Sequence, residues 1–380
     1  MLQIRRDNLK NIFLKHERIV LFGAGTLTSA MFEAYKDLGF EKKVDYILDN
    51  DKEKDGKTVN LNGKAIPMLS PERFAGLGYQ DYVLLIMPVF MLDIVQQMDS
   101  IAEFDNIPAY IYAFAMNEKE RGTIPFSFRN TKEPCIPRIL HYFWFGKKEM
   151  PDKYKKNLES WRRYCPGFKL IRWDESNYDY KKVPFMSQAY ETRQWAYVTD
   201  YARKDVIYNH GGIYLDTDVE LVKPIDDLLY NDFFVCRDDV ANINTGSGFG
   251  AVKGEALVKA LRDDYLGQRF VDSSGQIVGK ACGVYETAVL IKFGYQPDNT
   301  FQKLGEGEVV FTRDVLCPIS WIGMPNTYSQ RTIAIHKYDD LLIDGKGKEE
   351  ASKRRAEIIS LINRSDGKYA VDGKTGHVSN

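Results

Sequence analysis

Residues 195–222 read WAYVTDYARKDVIYNHGGIYLDTDVELV, and the change of period inside this stretch decides the fold. Ala196, Thr199, Ala202, Val206 and Ile207 recur at helical spacing, which predicts a partly buried helix from Trp195 to Asn209. Gly211 and Gly212 end it, because glycine enters the left-handed conformation of a helix exit without steric cost. The period then becomes two. Ile213, Leu215, Thr217, Val219 and Leu221 face one way, and Tyr214, Asp216, Asp218 and Glu220 the other, as in a strand. Asp216 and Asp218 thus project together, while Asp200 and Arg203 share one side of the preceding helix.

Acids gathered around one arginine repel one another unless a charged ligand sits among them. A divalent cation with a phosphate-bearing ligand meets that need. Carboxylate oxygens are hard ligands, so magnesium or manganese fits, and no histidine pair or cysteine cluster nearby argues for zinc.

The 380 residues suffice for about two domains, each with its own core. Lys and Arg total 52 against 53 Asp and Glu, so no basic surplus points to nucleic acid, and a small or neutral polymeric substrate is expected. Five cysteines, odd in number and without a Cys-x-x-Cys pair, fit a reducing cytoplasm. The first seventeen residues lack the apolar segment of a signal peptide, and the longest apolar run, Tyr82 to Val95, is broken by Pro88 and Asp93. The expectation is a soluble cytoplasmic chain that can rest on the inner face of a membrane.

Residues 1–130 open as a βαβ unit, with strands at Arg18–Phe22 and Val44–Leu48 around a helix from Thr26 to Leu38. Gly23 and Gly25 would let a phosphate approach the helix N-terminus, and Asp49 stands where a ribose-binding acid would. Thr28 replaces the third glycine of that fingerprint. Residues 118–135 read as a linker. A second α/β unit, 131–345, follows with strands alternating with helices, hence a mainly parallel sheet, and Trp144 at the carboxyl end of its first strand, where such sheets bind ligands. Asn244–Ala251 is a glycine-rich segment open to close approach. Residues 346–380 comprise a charged helix, Lys348–Asn363, and a polar tail; the helix packs on the protein or lies on an anionic membrane.

IPRILHYFWFG, the central stretch and INTGSGFGAVKG together resemble the DXD-containing sugar transferases of glycosyltransferase family 32, over roughly residues 134–340. The resemblance implies a GT-A fold, a nucleotide-sugar donor, a manganese or magnesium ion, and transfer with retention of configuration. It also implies a glycan acceptor, lipid-linked by analogy, in surface or capsular polysaccharide synthesis. The same spacing resembles the glucosyltransferase domain of the large clostridial toxins. That resemblance implies that Trp144 stacks on uracil, which favours a UDP-hexose, that Asp200 and Arg203 grip the donor sugar, and that Asn244 lies near it. It further implies that Asp216 lies between ribose and metal and that Asp218 binds the metal directly. His336 takes the place of a further metal ligand, although the family's following serine and tryptophan are absent from Lys337-Tyr338-Asp339-Asp340. The first unit resembles the Rossmann-like domain attached to polysaccharide-biosynthesis proteins. Competing readings are an NAD-dependent nucleotide-sugar oxidoreductase or epimerase, for which residues 1–130 lack a Tyr-x-x-x-Lys pair, and a non-catalytic nucleotide-sugar binding protein.

Overall fold

A computed structural model describes residues 1–380 except 79–80, 117–123, 299, 340–344, 366–369, 372–377 and 380. It contains two seven-stranded sheets flanked by helices. The first holds β1 (Gln3–Arg5), β2 (Ile19–Phe22), β3 (Val44–Leu48), β4 (Thr58–Leu61), β5 (Lys64–Leu69), β6 (Val83–Ile86) and β7 (Pro108–Ile111), in spatial order β1-β7-β6-β2-β3-β5-β4. All its pairings are parallel except the β4–β5 hairpin. β2 and β6 are buried along their whole length, as strands covered on both faces must be, and therefore read as unbroken apolar runs. Helices α1 (Leu9–Lys15), α2 (Thr26–Ala34), α3 (Pro71–Ala75), α4 (Met91–Asp99) and α5 (Tyr112–Ala115) connect them. The helix expected to reach Leu38 stops at Ala34, where a tighter turn over Lys36–Leu38 leads into left-handed Gly39.

The second sheet holds β8 (Ile139–Phe143), β9 (Lys169–Trp173) and β10 (Gly212–Tyr214), whereas β11 (Val219–Leu221) lies outside it. β12 (Phe233–Arg237), β13 (Ile243–Ala251), β14 (Gln302–Lys303) and β15 (Glu308–Phe311) complete the order β14-β15-β12-β13-β10-β8-β9. β16 (Ala334–His336) pairs with β11 instead. Where alternating strands and helices predict a mainly parallel sheet, the observed one is mixed, with three parallel and three antiparallel pairings. The reason is local: β12 returns directly as β13, and so short a link joins only antiparallel strands. The glycine-rich segment is therefore a buried central strand. Its register against β12 passes from Val235↔Phe249 to Cys236↔Asn244, so Thr245–Gly248 bulge out of the ladder.

Helices α6 (Asp152–Tyr164), α7 (Pro184–Glu191), α8 (Trp195–His210), α9 (Ala256–Asp263) and α10 (Cys282–Ile291) pack around this sheet. α8 is not the one-faced helix its spacing predicts. Ala196 is exposed, and every residue from Asp200 to Ile207 is buried, including Arg203, Lys204 and Asp205. Residues 118–123 of the expected linker lie outside the described residues; beyond them, Phe126 and Phe128 pack on the core of the second sheet and Arg129 is ion-paired with Asp232. The last helix, α11 (Gly345–Arg364), buries Ile358, Leu361 and Ile362 in the core of the first sheet. Arg364 bonds Asp99 and the Leu2 carbonyl there. The polar tail beyond Ser365 lies largely outside the described residues. No described helix is long and apolar enough to cross a membrane.

One buried histidine makes the fold sensitive to acid. His141 in β8 accepts the Trp173 indole N–H at Nδ1 (3.0 Å), so its proton sits on Nε2, 3.0 Å from the Gly211 carbonyl. Burial pushes its pKa down to about 4. The unfolded chain protonates this side chain near pH 6.5, so stability is complete above that pH and falls by up to about 3 kcal/mol as the pH drops toward 4. Between pH 7 and pH 5 the His141 share is about 2 kcal/mol. Buried Asp200 and Asp238, raised to about 6 and about 7, gain stability over the same range, so that share is read as the difference in urea unfolding between parent and H141Q, the parent losing more. The β13 bulge is a second sensitive point, because a Cβ at Gly246 would stand 2.5 Å from Asp216 Oδ2 and 3.0 Å from Arg203 Nη1. In the same assay G246A should cost about 1–3 kcal/mol. G167A, where nothing lies within 4 Å of the added methyl, should stay within about 0.5 kcal/mol of the parent.

Candidate active site

Asp216 and Asp218 do not lie on one continuous strand, as period two predicts. β10 stops at Tyr214, the Val219 amide donates to the Asp216 carbonyl (3.0 Å), and the chain turns before β11 begins. α6 holds this corner from behind: Asn157 Nδ2 donates to the Thr217 carbonyl and the Trp161 indole to the Val219 carbonyl, each at 2.8 Å. On the other side the Asp216 amide donates to the Gly246 carbonyl of the bulge (3.2 Å). The two carboxylates still converge. The β11–β16 pair sets Val219 opposite His336, which brings His336 Nε2 to 3.2 Å from Asp218 Oδ1. One potential ligand atom from each of Asp216, Asp218 and His336 falls within 4.8 Å of the others. An octahedral ion with bonds of about 2.1 Å sets adjacent ligands about 3 Å apart and opposed ones about 4.2 Å apart, so the three fit such an ion after a small contraction.

The charges around this cluster are nearly all buried. Arg203 bonds Asp200, with only 3% and 4% of the two side chains exposed, and its Nη1 lies 3.6 Å from Asp216 Oδ2. Burial pushes the Asp200 carboxyl up to about 6 against the pull of Arg203 and Lys204. Burial likewise raises Asp216. Asp218 resists burial and stays below the usual carboxylate range, because His336 charges beside it and the Asp339 amide donates to it at 3.0 Å. His336 is held up to about 9: burial opposes its charge, and Asp218 and Asp216 more than offset that. The imidazolium thus compensates the two acids, and a metal ion binding there displaces its proton. Two buried atoms at the site, Arg203 Nη1 and His336 Nδ1, have no hydrogen-bond partner among the described residues. The Arg203 orphan, a buried cationic donor, fits a site built for an anionic ligand.

The remaining expected residues divide. Asn244 lines the same floor, donating to the Tyr338 hydroxyl (3.1 Å) and accepting from the Ser247 amide (3.1 Å). Trp144 follows β8 half-buried, its indole N–H on the Lys148 carbonyl (2.7 Å) and its ring 5.5 Å from Tyr154. Gly23, Gly25 and Asp49 belong to the first sheet, not to this cluster. Gly23 has φ +95° and a Cβ there would meet Pro88 at 2.8 Å, whereas Gly25 caps α2 with open space around it. The Thr28 hydroxyl donates to the Gly23 carbonyl (2.7 Å), and Asp49 is engaged by Lys54 (2.9 Å) and the Asp51 amide (3.0 Å).

Several residues of the site escape sequence reasoning. The Tyr214 hydroxyl donates to Asp216 Oδ1 (2.5 Å), and only period two hinted at it by placing both on one side. Lys204 and Glu286, both fully buried, pair at 2.7 Å behind Asp200. Trp195 presents a second, 36% exposed indole beside the loop after Trp144, where a Cβ on Gly146 would touch its ring at 3.0 Å.

Residues 151–235, which include Asp200, Arg203, Asp216 and Asp218, match the family described as glycosyltransferase sugar-binding region containing DXD motif. Inositol phosphoceramide mannosyltransferase 1 of Schizosaccharomyces pombe is 30% identical over 111 residues, covering 26% of this chain and 33% of that protein. An uncharacterized glycosyltransferase of Acanthamoeba polyphaga mimivirus is 31% identical over 116 residues, covering 29% of this chain and 46% of that one. Among solved structures, PaToxG glycosyltransferase aligns with 18% identity over 42% of this chain and 70% of its own, with a TM-score of 0.33. The matched region spans between a third and a half of the length of these two curated relatives. Through its central part, then, the chain is similar to DXD-containing glycosyltransferases.

Proposed function

We propose that this chain is a metal-dependent, retaining glycosyltransferase that moves a hexose from a nucleotide sugar, a UDP-hexose by preference, to a glycan acceptor in surface or capsular polysaccharide synthesis. The observation that carries this reading is the convergence of Asp216, Asp218 and His336 within 4.8 Å, flanked by buried Arg203 and Asp200. In this proposal residues 131–345 are a GT-A domain and residues 1–130 a Rossmann-like domain, and the reversal of parallel strand order between β2 and β6 supports the latter. The first domain is given no chemistry, since Asp49 already has partners and Gly23 answers a packing need at Pro88. Contact with a membrane surface at the cytoplasmic face would bring a lipid-linked acceptor within reach.

Breaking a bond between a sugar and a diphosphate builds negative charge on the departing phosphate and positive charge on the ring. Asp218, Asp216 and His336 would hold manganese or magnesium, which neutralises that phosphate as a Lewis acid. Arg203 Nη1, buried and without an acceptor of its own, is the donor to a phosphate or sugar oxygen, and its fork is held rigid by Asp200 and by Thr199, whose carbonyl and hydroxyl each accept at 3.2 Å. Trp144, at the carboxyl end of β8, takes the nucleobase, and Asn244 lies by the transferred sugar. The acceptor hydroxyl attacks the anomeric carbon from the leaving-group face. The carbon–oxygen bond to phosphate breaks as the new glycosidic bond forms, and the departing phosphate takes the acceptor's proton.

Release of free nucleotide from a panel of UDP- and GDP-hexoses, with manganese or with a chelator, tests this. Turnover should require the metal, and D218N should stay folded yet lose at least about a thousandfold in kcat, equivalent to several kcal/mol, with a lower urea midpoint because buried His336 loses its carboxylate partner. Turnover of D218N within tenfold of the parent would remove the assigned role.

A further inference from the structure

A buried ion pair outside the expected site holds the floor of that site in place. The β13 bulge removes Thr245–Gly248 from the β12 ladder, so the Thr245 amide has no strand partner there. α10 supplies the missing acceptors: Glu286 Oε2 takes the Thr245 amide (3.1 Å), Glu286 Oε1 takes the Thr245 hydroxyl (2.5 Å), and the Thr287 hydroxyl takes the Ile243 amide (2.9 Å). The Glu286 carboxylate is fully buried and is balanced by Lys204, also fully buried, at 2.7 Å. Lys204 Nζ donates as well to the Asp200 carbonyl (2.6 Å) and lies 4.9 Å over the Tyr265 ring. Three elements, α8, α10 and β13, therefore meet at one charge pair. Directly in front of it the bulge touches the reacting groups, for the Gly246 carbonyl accepts from the Asp216 amide and the Gly246 Cα leaves no room for a methyl beside Asp216 and Arg203. Two bare charges are an expensive way to fill a core, and apolar residues of like size often fill it as well or better. Stability alone does not account for the pair.

We propose that Glu286 and Lys204 are positioning residues, which act through the Thr245–Gly248 bulge to hold Asp216 and Arg203 in register for transfer. This inference rests on the glycosyl-transfer reading of the same site. The decisive comparison is K204M/E286L, which removes both charges and the anchor, against K204M/E286Q, which removes the charges but leaves a side-chain oxygen for Thr245. K204M/E286Q should keep a urea midpoint close to the parent's, whereas K204M/E286L, which leaves the buried Thr245 amide and hydroxyl without acceptors, should unfold at lower urea. K204M/E286L should lose about tenfold to a hundredfold in kcat with a KM for donor within about threefold, and K204M/E286Q should recover most of the loss. T245V, which keeps the charge pair and deletes one bond to it, should lose several-fold in kcat alone. Wild-type kcat in either K204M/E286L or T245V would overturn the proposal. Should K204M/E286L not fold, T245V decides. Amide exchange across residues 243–248 gives a readout independent of turnover: it should quicken in K204M/E286L, or in T245V, and unchanged protection would overturn the anchor. A parent that releases no nucleotide from any donor would instead sink the transferase reading, while the exchange measurement still judges the anchor.

Discussion

Two carboxylates held within a few ångströms of each other at a chain turn, in largely buried surroundings, are the constraint around which this molecule is built. Left alone they would repel and force a proton onto one of them. The structure meets this with cations placed on both sides, Arg203 against Asp216 and His336 against Asp218. Each cation comes from a different element, so satisfying the acids fixes α8, β11 and β16 relative to one another. The bulged strand β13 closes the arrangement on the side opposite α6, and only a glycine at 246 lets its backbone approach so near.

How much of this was legible follows from where each residue sits in the chain. Asp200, Arg203, Asp216 and Asp218 share one continuous stretch, and helical and strand periods suffice to bring them together. His336 stood out through resemblance alone, because its place depends on the β11–β16 pairing, a long-range contact that no local period records. Lys204 and Glu286 were invisible for a different reason. A lysine inside a helix reads as a solvent-facing residue, yet α8 is enclosed on all sides from Asp200 to Ile207, and a helical stretch with no exposed face gives up its amphipathic signal.

The strand expected through Asp216 shows the limit of alternation as evidence. Ile213 and Tyr214 do take opposite faces of β10, each buried in a different core, but the turn between β10 and β11 carries the chemistry and has no period. Likewise the glycines of 244–251 signal close approach without saying of what, and it is packing against Phe234, Leu215 and Asp216 that makes the same residues a buried strand. At the other end, α11 crosses back to the first sheet through Ile358, Leu361 and Ile362, and its apolar side finds protein where composition alone also allowed a membrane.

Everything proposed for this chain turns on whether a cation is clasped by Asp216, Asp218 and His336. Anomalous diffraction from crystals grown with manganese and UDP measures this directly. The account predicts one manganese peak bonded to those three side chains, with a diphosphate oxygen completing its sphere and Arg203 beside it. A fully occupied manganese elsewhere, or nucleotide bound with His336 still paired to Asp218 and no metal between the acids, would contradict it.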